Sequence, residues 1–158
     1  MYRMRNWSVR HARWLKRAYA GFETVLVWFE PLFRRVGYER LDKPFATVEK
    51  MTKGVLLDSQ NCGQCIVGAT GLSCPMNCPK KLRNGPCGGV RADGTCEVKP
   101  DMPCVWVLAW EGNKRFREDG YPIQAVQPPV DNRLIGKSAW LREVRRRAAG
   151  NRSTASEV

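Results

Sequence analysis

Seven cysteines lie between residues 62 and 104, and the rest of the chain contains none. The stretch that holds them, from Ser59 to Trp110, is rich in glycine, proline and asparagine. Loops of this composition cannot bury enough apolar surface to fix their own backbone, so something else must order them. Metal ligation is the simplest answer, which predicts a cysteine-rich metal domain over residues 55–112.

The candidate ligands are the cysteines themselves: Cys62, Cys65, Cys74, Cys78, Cys87, Cys96 and Cys104. A Cys-x2-Cys pair lets two thiolates reach one metal ion or one edge of a cluster from a tight turn. Zinc and a [4Fe–4S] cluster both need four ligands. Cys78 is followed by Pro79, as in the Cys-x3-Cys-Pro ending of bacterial ferredoxins. The spacing favours iron–sulfur slightly over zinc, and an odd number of cysteines argues against a disulfide scaffold.

The net charge of +12 suits an acidic partner surface, a nucleic acid or an anionic membrane, without choosing among them. The single histidine, His11, lies far along the chain from the cysteines, so histidine-based acid–base catalysis has few candidates. No glycine-rich phosphate loop is present. Next to the cysteines, Lys80, Lys81 and Arg83 either offset the charge of a cluster or form a solvated basic loop.

Apolar residues recur at helical spacing before the cysteines, and a basic helix follows them. We therefore expect an α-plus-irregular fold with little β structure, in which N- and C-terminal helices flank a small metal-cluster domain. The helical region spans residues 1–54, and residues 113–158 supply an extended connector, a short helix and a tail. The predicted helices cover residues 8–33, 46–57 and 138–149, while residues 104–110 fit either a strand or a helix.

The first helix carries a broad apolar stripe, for which docking on the partner is slightly favoured over packing on its own cysteine domain or lying on a membrane. Glu23 and Glu30 interrupt its apolar run, so neither a signal peptide nor a membrane-spanning helix is expected. The prediction is a cytoplasmic protein, in which clustered cysteines hold metal more often than they form disulfides. The aromatic residues of the first helix lie largely on its apolar stripe and do not alternate with basic residues, so nucleic-acid binding is not favoured.

One run of residues carries a family resemblance. It reads Cys-Pro-Met-Asn-Cys-Pro-Lys-Lys-Leu-Arg-Asn-Gly-Pro-Cys-Gly-Gly-Val over residues 74–90 and continues to Cys96-Glu-Val and Cys104-Val-Trp. With the later Val-Gln-Pro-Pro-Val at 126–130 and Ser-Ala-Trp-Leu at 138–141, it resembles the methylenetetrahydrofolate reductase C-terminal family across residues 50–140. It looks most like the free-standing small subunit found beside a flavin-bearing barrel subunit.

The resemblance implies a non-catalytic electron-transfer subunit with one or two [4Fe–4S] clusters, or zinc, bound by the seven cysteines. The flavin would belong only to the partner, the barrel subunit that reduces 5,10-methylenetetrahydrofolate to 5-methyltetrahydrofolate. The alternatives are a zinc docking module of the same complex or a basic zinc protein that binds nucleic acid; membrane contact is not favoured. Relatives place a further cysteine where this chain has Ser59, so one of two sites would have only three cysteines, be completed by another group, or be lost.

Overall fold

The computed structural model describes residues 2–85, 87–116 and 122–155, with the backbone alone for residues 151–155. These residues form six α-helices with almost no strand: α1 (Tyr2–Arg10), α2 (Ala12–Trp28), α3 (Glu30–Val36), α4 (Tyr38–Leu57), α5 (Val105–Lys114) and α6 (Ala139–Ala155). The expectation of a helical fold with little β structure is confirmed. The division into three regions stays a prediction.

The predicted N-terminal helix is three helices in the structure. His11 separates α1 from α2, and Phe29 separates α2 from α3, just before Pro31, which occupies the first turn of α3 where a missing N–H is tolerated. Gly37 then ends α3 with a φ of 100°, which a residue with a Cβ rarely adopts. The helix begins at Tyr2 rather than at residue 8, so its predicted start was wrong.

The helix predicted over residues 46–57 begins eight residues earlier, at Tyr38, and includes Pro44. Residues 104–110, which fitted either a strand or a helix, start α5. The last helix, α6, runs through residues 138–149 and into the predicted tail as far as Ala155. Residues 156–158 of that tail lie outside the described residues.

Two apolar cores support this arrangement. One lies beneath the cysteine loops and joins Ala12, Leu57, Val67, Leu72, Cys74 and Phe116. The other lies between α2, α3, α4 and α6 and joins Leu26, Phe33, Trp140, Leu141 and Val144. Between α4 and α5 the described residues form short turns, the 3₁₀ turn Pro75–Asn77 and two isolated β-bridges, Val90 with Cys96 and Thr95 with Pro103. No helix of the described residues is both long enough and apolar enough to cross a membrane.

Candidate metal centre

Three of the seven cysteines line one small cavity. Cys62, Cys65 and Cys74 border it together with Ser59. Cys74 is buried, while Cys62 and Cys65 are half-buried. Burial raises the pKa of the Cys74 thiol, and backbone N–H groups of Gln60 and Met76 act in the opposite direction. Burial outweighs these amides, so the pKa of Cys74 lies above its usual range, and the amides partly offset the cost of forming the thiolate that binds metal.

The Cys62–Cys65 turn is held from outside by the C-terminal connector. A Cβ on Gly63 would lie 2.0 Å from the carbonyl oxygen of Leu134, and Gly63 also has a φ of +72°. The Gln64 side chain accepts a hydrogen bond of 2.7 Å from the Asp131 amide. Only glycine fits this close approach, so the turn that presents two thiols depends on residues 131–136 being in place.

Three further cysteines surround the start of α5. Cys104 is the N-cap residue of that helix and shares an apolar cluster with Cys87. Cys96 packs against Met102 and Val105. The amide of Cys104 donates to the carbonyl of Gly94 at 2.9 Å, which folds the Cys96 loop back onto the helix. As the N-cap residue, Cys104 therefore lies at the positive end of the α5 dipole.

Cys78 stands between the two groups. It is buried and directly follows the 3₁₀ turn Pro75–Asn77, whose first flanking residue is Cys74. That turn packs against α5, and Ser73 donates a 3.0 Å hydrogen bond to the carbonyl of Val105. Cys74 and Cys78 therefore flank one three-residue turn, and that turn lies between the first group of cysteines and α5.

A buried ion pair that the sequence analysis missed lies beside the first group. Glu49 and Lys53 are one turn apart on α4, and the Lys53 Nζ lies 2.7 Å from the Glu49 Oε1. Their side chains are only 2% and 5% exposed. The Glu49 Oε2 accepts from the Ser138 hydroxyl at 2.9 Å and the Trp140 amide at 3.2 Å. The sequence does carry a sign that this pair is buried, because Glu49 and Lys53 fall on the same face of the helix as the buried Ala46 and Leu57.

Lys53 connects this pair to the cysteines. Burial lowers its pKa, but the charges of Cys65, Tyr19 and Glu49 outweigh burial, so the pKa of Lys53 lies above its ordinary range. Tyr19 shows the complementary effect, because burial and the Cys65 charge raise its pKa while Lys53 lowers it. Lys53 is therefore a fixed positive charge close to Cys65, with Glu49 lining the same cavity as the three thiols.

Each group of cysteines also has a buried N–H donor that finds no acceptor within the described residues. Arg83 lines the first cavity and is 8% exposed, and its Nη1 is unpartnered while Nε and Nη2 donate to backbone carbonyls. Trp106, which packs with Cys87 and Cys104, has an unpartnered Nε1. Buried donors need acceptors, and thiolate or sulfide sulfur supplies them. The residues present therefore fit a thiolate-ligated metal group.

The three basic residues singled out from the sequence differ in placement. Arg83 is buried at the cavity, whereas Lys80 and Lys81 are exposed. Lys80 contacts the Cys87 sulfur at 3.6 Å and pairs with Glu97, while Lys81 donates to the carbonyl of Met76. In the described ranges, no three Cys, His, Asp or Glu side chains converge on a single metal-ion position. The assignment of all seven cysteines as ligands stays a prediction.

Comparison with known families identifies the cysteine region. Residues 38–133 match the family described as methylene-tetrahydrofolate reductase C terminal, which is more than half of the chain. The chain belongs to this family. The match confirms the resemblance drawn from the sequence and contains all seven cysteines, α4 and α5. Neither a curated protein nor a solved structure matches the chain.

The boundaries of the match divide the molecule. Residues 2–37, which form α1, α2 and α3, precede the segment shared with the methylene-tetrahydrofolate reductase C-terminal family. All of α6 follows it, beginning at Ala139. The matched segment therefore contains α4, the cysteine loops and α5, and the helices outside the match pack against α4 and α5.

Proposed function

We propose that this chain is a small, non-catalytic electron-transfer subunit of a flavin-dependent methylenetetrahydrofolate reductase. The observation that carries the proposal is the arrangement of the seven cysteines, which lie inside the family segment and form neighbouring groups joined by a single 3₁₀ turn. Electron transfer weakens steeply with distance, so adjacent sites suit a relay. The flavin and the folate would be bound by the partner subunit.

Cys78, Cys87, Cys96 and Cys104 would supply a complete set of four ligands around the start of α5. Cys62, Cys65 and Cys74 would supply three at the first cavity, with Ser59 beside them. A bound [4Fe–4S] cluster accepts and releases one electron at a time. Lys53 and Arg83 would offset negative charge at the first group, while the Cys104 helix terminus and Trp106 would do so at the second.

Structural zinc is the second candidate, and the size of the first cavity favours it there. The cavity measures about 10 Å³, which is room for about one water-sized atom. A single zinc ion would need less outward movement of the loops than a cube of four irons and four sulfides. In this alternative the first site fixes the fold of the docking module, and only the second group would carry electrons.

The outward face of α4 is the surface we assign to the flavin-bearing partner. Val48, Met51 and Val55 form one stripe there and are 56%, 67% and 68% exposed. The stripe lies in the family segment, as expected of a surface used by the family's shared partner. Asn61 lines both the groove beside Met51 and Val55 and the cysteine cavity, so a partner seated here is close to the first group.

The test is electron transfer from the purified, chemically reduced chain to an oxidised flavin-bearing methylenetetrahydrofolate reductase subunit, followed by loss of flavin absorbance under anaerobic conditions. We expect rapid reduction by the parent and slow reduction by Val55→Glu, which places a charge in the stripe. Val126→Glu is the matched control, because Val126 is 87% exposed and outside that groove. A parent chain that binds iron but never reduces the flavin contradicts the relay.

A further inference from the structure

The helices that precede the family segment expose a row of large apolar side chains. Trp14, Val25 and Trp28 on α2 and Leu32 on α3 are 65%, 52%, 75% and 52% exposed. The three α2 residues are separated by 11 and 3 positions, close to whole turns, so they share one face. Their opposite neighbours Leu26 and Phe33 are buried in the helical core. We call this row, Trp14, Val25, Trp28 and Leu32, the N-terminal face.

Charge around the N-terminal face is almost all positive. Residues 1–37 contain eight arginines and lysines but only two glutamates. Exposed arginines adjoin both ends of the row: Arg10, Arg13 and Arg17 near Trp14, and Arg34 and Arg35 near Leu32. A surface of this kind attracts an anionic partner over distances set by the ionic strength.

The two glutamates of this region do not offset that charge toward solvent. Glu23 forms a 2.7 Å ion pair with Arg147 on α6, and the Glu23 side chain is 13% exposed. Glu30 accepts a 3.2 Å hydrogen bond from the Tyr38 hydroxyl. Both carboxylates are engaged within the protein, so the outward surface presents tryptophan, aliphatic and arginine side chains together.

We infer that the N-terminal face binds the surface of an anionic phospholipid bilayer. Tryptophan is the side chain most suited to the boundary between headgroups and acyl chains, and arginines beside it bind anionic headgroups. A bilayer accepts a protruding helix without requiring a complementary groove. The chain would lie on the membrane and not cross it, in keeping with the absence of a spanning helix among the described residues.

A protein partner is the less favoured occupant, because the face lies wholly outside the family segment. A surface for the family's shared partner is expected within residues 38–133, where the α4 stripe is available. The N-terminal face is thus a separate attachment that would hold the cysteine domain near a membrane. It requires no bound metal and is independent of the proposed electron transfer.

The experiment is co-sedimentation of the full chain with vesicles of phosphatidylcholine alone or of phosphatidylcholine with phosphatidylglycerol. We expect strong binding only to the anionic vesicles, and weakening by salt. Trp14→Ser with Trp28→Ser should reduce binding at least tenfold, while Met51→Ser, an equally exposed apolar residue on α4, should not. Arg34→Gln with Arg35→Gln should weaken binding about 25-fold, since each charge contributes about fivefold.

Circular dichroism of each variant verifies the fold, which should persist because the changed side chains are mostly exposed. Equal binding to neutral and anionic vesicles, or unchanged binding by the double tryptophan variant, overturns the proposal. Absence of binding by the parent to either vesicle also overturns it. If the double tryptophan variant then loses its complex with the flavin-bearing subunit, the N-terminal face is a protein interface.

Discussion

Lys53→Met tests the buried ion pair that adjoins the first group of cysteines. The change leaves the Glu49 carboxylate buried with hydrogen bonds from Ser138 and Trp140 but no positive charge. Breaking one side of a buried pair costs about 3–5 kcal/mol, because the remaining charge is uncompensated. For a domain of this size each kcal/mol lowers Tm by about 2–4 °C, so we expect a decrease of about 6–20 °C.

Lys114→Met is the matched control. Lys114 pairs with Glu111 at 2.6 Å, almost the separation of the Lys53 pair, but these side chains are 47% and 42% exposed. Exposed pairs contribute less than about 1 kcal/mol, so the control should unfold nearly as the parent does. The double variant Lys53→Met with Glu49→Gln should recover most of the loss, since no buried charge remains in the pair.

Urea unfolding followed by far-ultraviolet circular dichroism gives the free energies, with metal content measured for every sample because bound metal adds stability. A loss for Lys53→Met no greater than that for Lys114→Met would refute the burial of the pair. So would a double variant less stable than either single variant. Loss of bound metal in Lys53→Met, with the fold intact, would additionally link Lys53 to the cysteine site.

Three further predictions concern pH, packing and the incomplete site. Hydrogen bonds from Arg146 hold the pKa of Glu143 down to about 2. The stability that the Glu143 carboxylate contributes is therefore present above its unfolded pKa of about 4.5 and is lost as pH falls toward 2. In thermal melts, Glu143→Gln should be slightly less stable than the parent at pH 6 and equal to it near pH 2. A Cβ on Gly112 would lie 2.0 Å from a backbone oxygen of Gly71, so Gly112→Ala should lose more than about 2 kcal/mol in urea unfolding, whereas Gly54→Ala, in an equally helical but open position, should gain up to about 1 kcal/mol. Ser59→Cys should bind more iron or retain it longer in air than the parent, because a thiolate is a better ligand than a serine hydroxyl. If the iron content, the sulfide content and the electron paramagnetic resonance spectrum match those of the parent, Ser59 is not a vacant ligand position.

Local patterns in the sequence predicted the helical fold and the cysteine region, because helical periodicity and ligand spacing depend on residues that are close in sequence. The break at His11 was missed, since an apolar stripe continues across a bend as readily as along a straight helix, whereas Pro31 indicated the break that the structure places at Phe29. The start of α4 was placed late, and the structure shows that the helix tolerates Pro44 in its second turn.

The grouping of the cysteines could not be predicted, because it depends on contacts between distant segments. Cys104 and Cys87 share one apolar cluster because α5 packs against the loop that contains Cys87. The Cys62–Cys65 turn is braced by Leu134, about seventy residues away along the chain. Ser59 was singled out from the family resemblance alone, and the structure places it at the same cavity as the three cysteines.

The central claim is tested most directly by the metal and sulfide content of the chain purified without oxygen. The proposed function predicts brown protein with iron and about four acid-labile sulfides per cluster, and loss of that iron when Cys87 or Cys104 is replaced by serine. Colourless protein that holds zinc and no sulfide, even after anaerobic reconstitution with iron and sulfide, would contradict electron transfer and leave the zinc docking module.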